Sequence, residues 1–227
     1  MNNTAPVARL KKADIVWLAN NKCKHSHNYL AHFNCFLEER PDGPLRIKSG
    51  YLDIETSNLA ANYGIIYCYC IKDEESDKIF ERTITKKELK SKDMDKNVVA
   101  QCIKDIRGNF DRVVTYYGTR FDIPYLRSRA VFHGLEFPEY GELLHTDLYY
   151  LVRNKFRLNS NRLKTACEFL LGNSDKTNIN FTYWIRAMGG DMEALGYIVE
   201  HCRCDVLDLQ KLHDVVIPFR KTINNPA

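Results

Sequence analysis

The order of strand-like and helix-like segments after residue 50 is the feature that most restricts the fold of this chain. Segments 51–55, 63–72 and 78–84 are rich in aromatic and β-branched residues and are separated by polar turns. This pattern is typical of three neighbouring antiparallel strands. Residues 86–92 are polar and predict a connection, and apolar residues then recur at helical spacing over 93–109. The pattern therefore predicts an α/β domain.

The rest of the chain continues the alternation of strands and helices. It contains, in order, a strand over 112–117, a helix over 122–134 with Pro124 in its first turn, a strand passing into a helix over 143–152, a helix over about 161–171, a Trp-bearing segment near 181–187 and a long amphipathic helix over 191–214. A turn cluster at 40–44, Arg-Pro-Asp-Gly-Pro, marks the start of the domain. We predict an extension over 1–48, a domain over 49–217 and a frayed tail over 218–227.

Composition places the chain among soluble globular proteins. Of its 227 residues, 44% are hydrophobic and 27% are charged, which is ordinary, and the net charge of +4 permits a polyanionic partner without demonstrating one. No apolar run approaches the ~20 residues that span a bilayer, and the N-terminus lacks the apolar core of a signal peptide. We expect a cytoplasmic protein that does not bind membranes. Its eight cysteines are then reduced thiols or metal ligands rather than disulfides.

Five potential metal ligands lie close together in the extension: Cys23, His25, His27, His32 and Cys35. Cys23 and His25, with His32 and Cys35, would suit a tetrahedral structural zinc ion, with His27 as an alternate ligand. Short segments with little core of their own often depend on such an ion. The alternative is that the histidines are exposed and the thiols are packed, because the spacing matches no standard zinc finger well.

Two carboxylates in the first strand, Asp53 and Glu55, are the first sign of a second metal site. Side chains at positions i and i+2 of a strand point to the same face of the sheet. Two acids on one face repel each other, and their desolvation is costly unless a cation lies between them. The pair therefore indicates a divalent metal with oxygen ligands, although many surface strands carry two acids without one.

Further acidic and histidine positions lie in later elements. Asp122 falls at the carboxyl end of the fourth strand, where open α/β sheets usually bind ligands, or else it caps its helix. His201 and Asp205 stand at i and i+4 of the long helix, so they share one face, in a metal site or in a surface contact. Asp147 precedes a helix and is expected to cap it.

The strings YLDIETSNL, VVTYYGTRFDIPYL and YIVEHCRCDVLDL resemble the three motifs of the DEDD, or DnaQ-like, exonucleases, and most closely those of their YprB-like branch. The resemblance covers about residues 50–215 and implies a ribonuclease H-like fold, a mixed five-stranded sheet flanked by helices. It also implies that Asp53, Glu55, Asp122 and Asp205 bind two Mg²⁺ or Mn²⁺ ions, with Asp53 between them.

The resemblance implies a 3′–5′ exonuclease that acts on DNA or RNA, chiefly at single-stranded 3′ ends, and releases nucleoside monophosphates. One subgroup of the family has a tyrosine four residues before the last acid, and another has a histidine five residues before it. This chain has His201 four residues before Asp205. We predict that His201 is the base that orients the attacking water, with Tyr197 as the alternate.

Two further groups of residues are candidates for contacts with the substrate. The basic residues Arg153, Lys155, Arg157, Arg162 and Lys164 either contact phosphates or form a solvated helix face. Among nearby aromatics, Tyr116 and Tyr117 could stack on a terminal base, whereas Phe121 is expected to pack in the core. Two functions compete with the exonuclease: a non-catalytic nucleic-acid-binding module and a structure-specific endonuclease.

Overall fold

The computed structural model describes residues 12–33, 35, 36, 47–139, 141–174 and 180–220. The turn cluster at 40–44 lies outside the described residues, as do 221–227 of the predicted tail. Over the described part, the sequence folds into one central sheet with helices on both of its faces.

The sheet has five strands in the order β3-β2-β1-β4-β5. Their bounds are β1 Ser49–Thr56, β2 Ile66–Asp73, β3 Ile79–Thr83, β4 Arg112–Thr115 and β5 Leu144–Asp147. β1 pairs antiparallel with β2, and β2 with β3, whereas β4 runs parallel to β1 and to β5. The predicted mixed sheet of five strands, with its first three strands antiparallel, is confirmed.

The helices of the domain follow the predicted order with one addition, at Lys86–Leu89, and a further helix that was not predicted lies in the N-terminal extension. They are α1 Lys12–Asn20, α2 Lys86–Leu89, α3 Lys96–Asn109, α4 Asp122–Phe132, α5 Leu148–Lys155, α6 Leu163–Leu170, α7 Phe181–Met188 and α8 Met192–Val216. Residues 86–92 connect β3 to α3 as predicted, and the first four of them form the short helix α2, which was not predicted. A capping box holds this helix: the Glu88 amide donates to the Thr85 hydroxyl, and the Glu88 carboxylate accepts from the Thr85 amide.

Three strands are shorter than predicted, β3 by one residue at each end and two others by more at one end. β2 begins at Ile66 rather than at residue 63, and β4 ends at Thr115 rather than at 117. The early end of β4 has a backbone cause, because Tyr117 has a φ of 69° and so leaves the extended conformation. The chain therefore turns away from the sheet before it reaches Asp122.

The two faces of the sheet pack against different helices. On β2, Tyr69 donates a hydrogen bond to Asp105 of α3, whereas β1 places the Tyr51 hydroxyl 3.0 Å from Nδ1 of His213 in α8. α8 packs along β1 and β2, and nearly every side chain of β2 is buried between the two layers. This arrangement sets the long helix across the face of β1 that carries Asp53 and Glu55.

The N-terminal segment has a small core of its own, formed by Leu18, Cys23, Tyr29, Cys35 and Phe36. Trp17 of α1 stacks on Tyr29, with ring centroids 5.7 Å apart. None of the eight cysteines forms a disulfide. Among the described residues, no helix has both the length and the apolar character that crossing a membrane requires.

Candidate metal centre and active site

One face of β1 carries the acidic pair. Asp53 and Glu55 follow Tyr51 at every second position, and all three side chains face α8. Both acids are half-buried, and the Sγ of Cys202 in α8 lies 3.4 Å from the carbonyl oxygen of Asp53. The long helix therefore covers the acidic end of the strand and limits the access of water.

Asp122 contacts the backbone of β1 between Asp53 and Glu55. β1 pairs with β4 only over Ser49–Tyr51, so the amide of Ile54 lies beyond the last paired residue. The Asp122 carboxylate fills the place of the missing strand and accepts a hydrogen bond from the Ile54 amide at 3.2 Å. The third acid is thus held beside the residue that separates Asp53 from Glu55.

The environment of Asp122 opposes its negative charge. The side chain is buried, and burial raises the pKa of Asp122 from 3.8 to about 7. The carboxylates of Asp147 and Asp205 raise this pKa as well, while the hydrogen bond from the Ile54 amide acts in the opposite direction. A divalent cation would compensate this clustering of negative charge, so the donor set fits a hard metal ion.

α8 supplies two more groups to the same place. His201 and Asp205 are both buried, and Nε2 of His201 lies 4.0 Å from Glu55 Oε1 and 4.0 Å from Asp205 Oδ2. Glu55, His201 and Asp205 can each offer a ligand atom within 4.8 Å of the other two. The structure therefore brings Glu55 of the first motif together with His201 and Asp205 of the third, across 150 residues of sequence, whereas Asp53 and Asp122 stand outside this group of three.

Asp147 contributes more than the predicted helix cap. It does cap α5, through a hydrogen bond from the Tyr149 amide. Its two carboxylate oxygens also accept hydrogen bonds from the amides of Tyr117, at 2.8 Å, and Thr119, at 2.9 Å. Asp147 thereby fixes the loop that leads to Asp122, a role that no local sequence signal indicated.

The loop before Asp122 is also packed tightly. A Cβ atom added to Gly118 would lie 2.3 Å from the Thr115 hydroxyl oxygen, so only glycine fits there without displacement. Phe121 packs against the core as expected, and Tyr116 does so as well, whereas Tyr117 is 45% exposed. Of the candidate stacking residues, Tyr117 is the one that presents its ring to solvent.

The basic residues of the second half are mostly at the surface. Arg153, Lys155, Arg157 and Arg162 are exposed, and Lys164 is half-buried. Lys164 forms an ion pair with Glu168 at 3.9 Å. The patch is thus accessible to a polyanion, and its role in binding stays a prediction.

The four predicted ligands of the N-terminal segment form a second cluster. Cys23, His25, His32 and Cys35 offer ligand atoms that all lie within 4.8 Å of one another. A tight turn, in which the Ser26 amide donates to the Cys23 carbonyl, brings the first pair together. His27, the alternate ligand, stands outside this group, although its ring lies 5.0 Å from that of His32.

Taken together, a mixed sheet in the order 3-2-1-4-5, covered by helices and carrying an acidic cluster on its central strand, defines a ribonuclease H-like protein. The comparison with protein families agrees with this class. The RNase_H_2 model, described as RNase_H superfamily, matches residues 50–217, and the chain belongs to that superfamily.

A solved structure shows the same fold. The family B DNA polymerase from the hyperthermophilic archaeon Pyrobaculum calidifontis superposes with a TM-score of 0.60 over 76% of this chain, at 18% sequence identity. The matched region is only 25% of the polymerase chain. No curated protein matches the chain in sequence.

Proposed function

We propose that this protein is a divalent-metal-dependent nuclease of the DEDD type. The observation that carries the proposal is that three elements bring acids to one end of β1. Asp53 and Glu55 share one face of the strand, Asp205 lies near Glu55, and Asp122 is hydrogen-bonded to the Ile54 amide. Membership of the RNase_H superfamily supports nuclease activity in the same region, 50–217. So many carboxylates in one partly desolvated place are costly unless they bind cations.

The four carboxylates are the ligands that we propose for two Mg²⁺ or Mn²⁺ ions. When bound, such ions supply an activated water and neutralise charge on the phosphate and on the leaving oxygen. The protein's own part is to hold the carboxylates in place. Asp147 fixes the loop before Asp122, and α8 covers Asp53 and Glu55 so that bulk water has limited access.

The proposed polarity is 3′ to 5′, with release of nucleoside monophosphates. The exposed ring of Tyr117 precedes Asp122 by five residues and is available to stack on a terminal base. The exposed cations Arg153, Lys155 and Arg157 are available to hold phosphates without sequence preference. Both features suit a single strand that enters the site by its end.

A cleavage assay tests this proposal. DNA and RNA oligonucleotides, single- and double-stranded, carry a label at the 3′ or the 5′ end and are incubated with Mg²⁺, Mn²⁺ or chelator. We expect metal-dependent release of labelled mononucleotide from the 3′ end, abolished by Asp53→Asn. Asp77→Asn is the matched control, because Asp77 is an exposed acid outside the site, and it should cleave at the rate of the wild type.

The same assay separates the competing functions. Internal products of defined length would instead support a structure-specific endonuclease. Binding of oligonucleotide without cleavage of any substrate would support the non-catalytic module and refute the nuclease.

We also propose that the N-terminal cluster binds a structural zinc ion. The distances from Cys23 Sγ are 3.7 Å to His25 Nδ1 and 3.4 Å to His32 Nδ1, and those from Cys35 Sγ are 3.2 Å and 3.4 Å. Zinc bonds of 2.3 Å to sulfur and 2.0–2.1 Å to nitrogen, at tetrahedral angles, separate S and N by about 3.5 Å. Four protein ligands would leave no open position, which is typical of a structural site.

Metal analysis tests the zinc proposal independently of cleavage. We expect about one zinc ion per purified protein, and a Co²⁺-loaded protein with the visible absorption of tetrahedral thiolate coordination. Both signals should be lost in Cys35→Ser and kept in His27→Ala, since His27 stands outside the four ligands. Wild-type protein without zinc, or Cys35→Ser with the full amount, would refute this site.

A further inference from the structure

We infer that His201 is a metal ligand of the nuclease centre, together with Glu55 and Asp205, rather than the base that accepts a proton from water. The inference rests on the proposed nuclease function for its biological meaning, but its geometry is independent of the reaction. His201 then adds one imidazole nitrogen to the four proposed carboxylate ligands.

The distances around Nε2 of His201 support a shared ion. Nε2 lies 4.0 Å from both Glu55 Oε1 and Asp205 Oδ2, which is too long for a hydrogen bond between these atoms. Metal–ligand bonds of about 2.0–2.2 Å place adjacent ligands of one ion about 3.0–3.5 Å apart. A cation between the three side chains therefore needs the Glu55 and Asp205 carboxylates to move only about 0.5–1 Å closer to Nε2.

The packing around the His201 ring fixes its position. His201 is only 2% exposed, and the edge of the Trp184 ring packs against it at a centroid distance of 5.9 Å. Asp205 lies one helical turn further along α8, so the helix itself holds these two groups on one face. Histidine and carboxylate at i and i+4 of a helix are well placed to bind one ion together.

The ligand role and the base role exclude each other at Nε2. A nitrogen that binds a cation has no lone pair left to accept a proton. The ligand role also predicts a metal preference, because imidazole binds transition metals well, whereas Mg²⁺ favours oxygen ligands. We therefore expect the centre to bind Mn²⁺ more tightly than Mg²⁺, and to lose much of this preference without His201.

Metal binding to purified protein, without substrate, tests the inference. Calorimetry gives the dissociation constants for Mn²⁺ and Mg²⁺, and electron spin echo spectroscopy of bound Mn²⁺ detects a coupled imidazole nitrogen. His201→Phe keeps a ring against Trp184 and removes the nitrogen, and His201→Gln serves if the phenylalanine variant does not fold. The matched control is His213→Phe, because His213 is another buried histidine of α8 but contacts Tyr51 instead.

We expect His201→Phe to weaken Mn²⁺ binding by at least about tenfold, since even the partners of metal ligands are worth 10–100-fold in affinity. Mg²⁺ binding should weaken less. The nitrogen coupling should be present in the wild type and in His213→Phe, and absent in both variants of His201. A coupling that persists without His201, or Mn²⁺ affinity unchanged in His201→Phe, would overturn the inference.

The outcomes also separate this inference from the proposed function. Nitrogen coupling from His201 in a protein that cleaves no substrate would keep the ligand and refute the nuclease. Metal-dependent cleavage by a protein whose bound Mn²⁺ shows no nitrogen coupling would keep the nuclease and refute the ligand.

Discussion

Replacing Asp122 by asparagine should stabilise the metal-free protein at neutral and alkaline pH. Asparagine keeps the size of the side chain and the oxygen that accepts from the Ile54 amide, but it carries no charge. The buried carboxylate of Asp122 has a pKa raised from 3.8 to about 7, chiefly by desolvation. At 1.36 kcal/mol per pKa unit this shift corresponds to about 4 kcal/mol.

The pH dependence of this effect follows from proton binding. Between pH 4 and pH 7 the folded protein keeps the proton on Asp122, whereas the unfolded chain has lost it. The folded state therefore binds more protons in this window, and its stability falls as the pH rises through it. Above pH 7 both states are ionised and the penalty stays constant. Asp122→Asn has no carboxyl group at this position and does not lose stability in this way, so the difference in unfolding free energy between the two proteins grows as the pH rises.

Urea unfolding in the presence of chelator, at several pH values from 4 to 8, measures the difference. We expect Asp122→Asn to have an unfolding free energy higher by about 2–4 kcal/mol at pH 8, and equal to that of the wild type near pH 4. Burial lowers the pKa values of His145 and His213 in both proteins, so their effect on stability cancels in the difference. If the unfolding free energies of the two proteins change in parallel with pH, or if the variant is less stable at pH 8, the charge of Asp122 does not destabilise the folded protein.

Three further substitutions test the loop before Asp122. Gly118→Ala should lower the free energy of unfolding by about 1–3 kcal/mol and reduce metal-dependent cleavage, because its Cβ would clash with Thr115. Gly108→Ala is the control, because a Cβ there meets no atom within 4 Å, and it should do neither. Equal effects of the two substitutions in urea unfolding and cleavage assays would contradict this prediction. In Asp147→Asn the single side-chain oxygen can accept from only one of the two loop amides. We therefore expect the free energy of unfolding in urea to fall by about 1–3 kcal/mol and cleavage to be slower. Wild-type values for both would show that Asp147 does not position the loop. Tyr117→Gly relieves a φ of 69° but removes the ring contact with Tyr149, at a centroid distance of 4.7 Å, so the two effects should leave the stability within about 1 kcal/mol of the wild type. The same substitution should weaken oligonucleotide binding in a fluorescence titration, and unchanged affinity would exclude stacking by Tyr117.

The sequence alone predicts the local features of this protein. Alternation and helical spacing predicted the strands and helices of the domain, and the resemblance predicted the mixed sheet with three antiparallel strands. The i, i+2 spacing of Asp53 and Glu55 and the i, i+4 spacing of His201 and Asp205 each fix a shared face, because one strand or one helix alone determines it. The capping box of Thr85 and Glu88 is a sequence signal for the start of α2, but the polar residues of this short helix do not show the apolar spacing that predicts a helix.

The relations between elements depended on the tertiary structure. The resemblance placed Asp122 among the metal ligands, but only the early end of the β1–β4 pairing explains how it reaches the Ile54 amide. Its raised pKa depends on burial by several elements, and the second role of Asp147 depends on a loop about 30 residues earlier in the sequence. The place of His201 between Glu55 and Asp205 depends on how α8 crosses the sheet. Spacing along the chain fixes directions within an element, whereas distances between elements are fixed by packing.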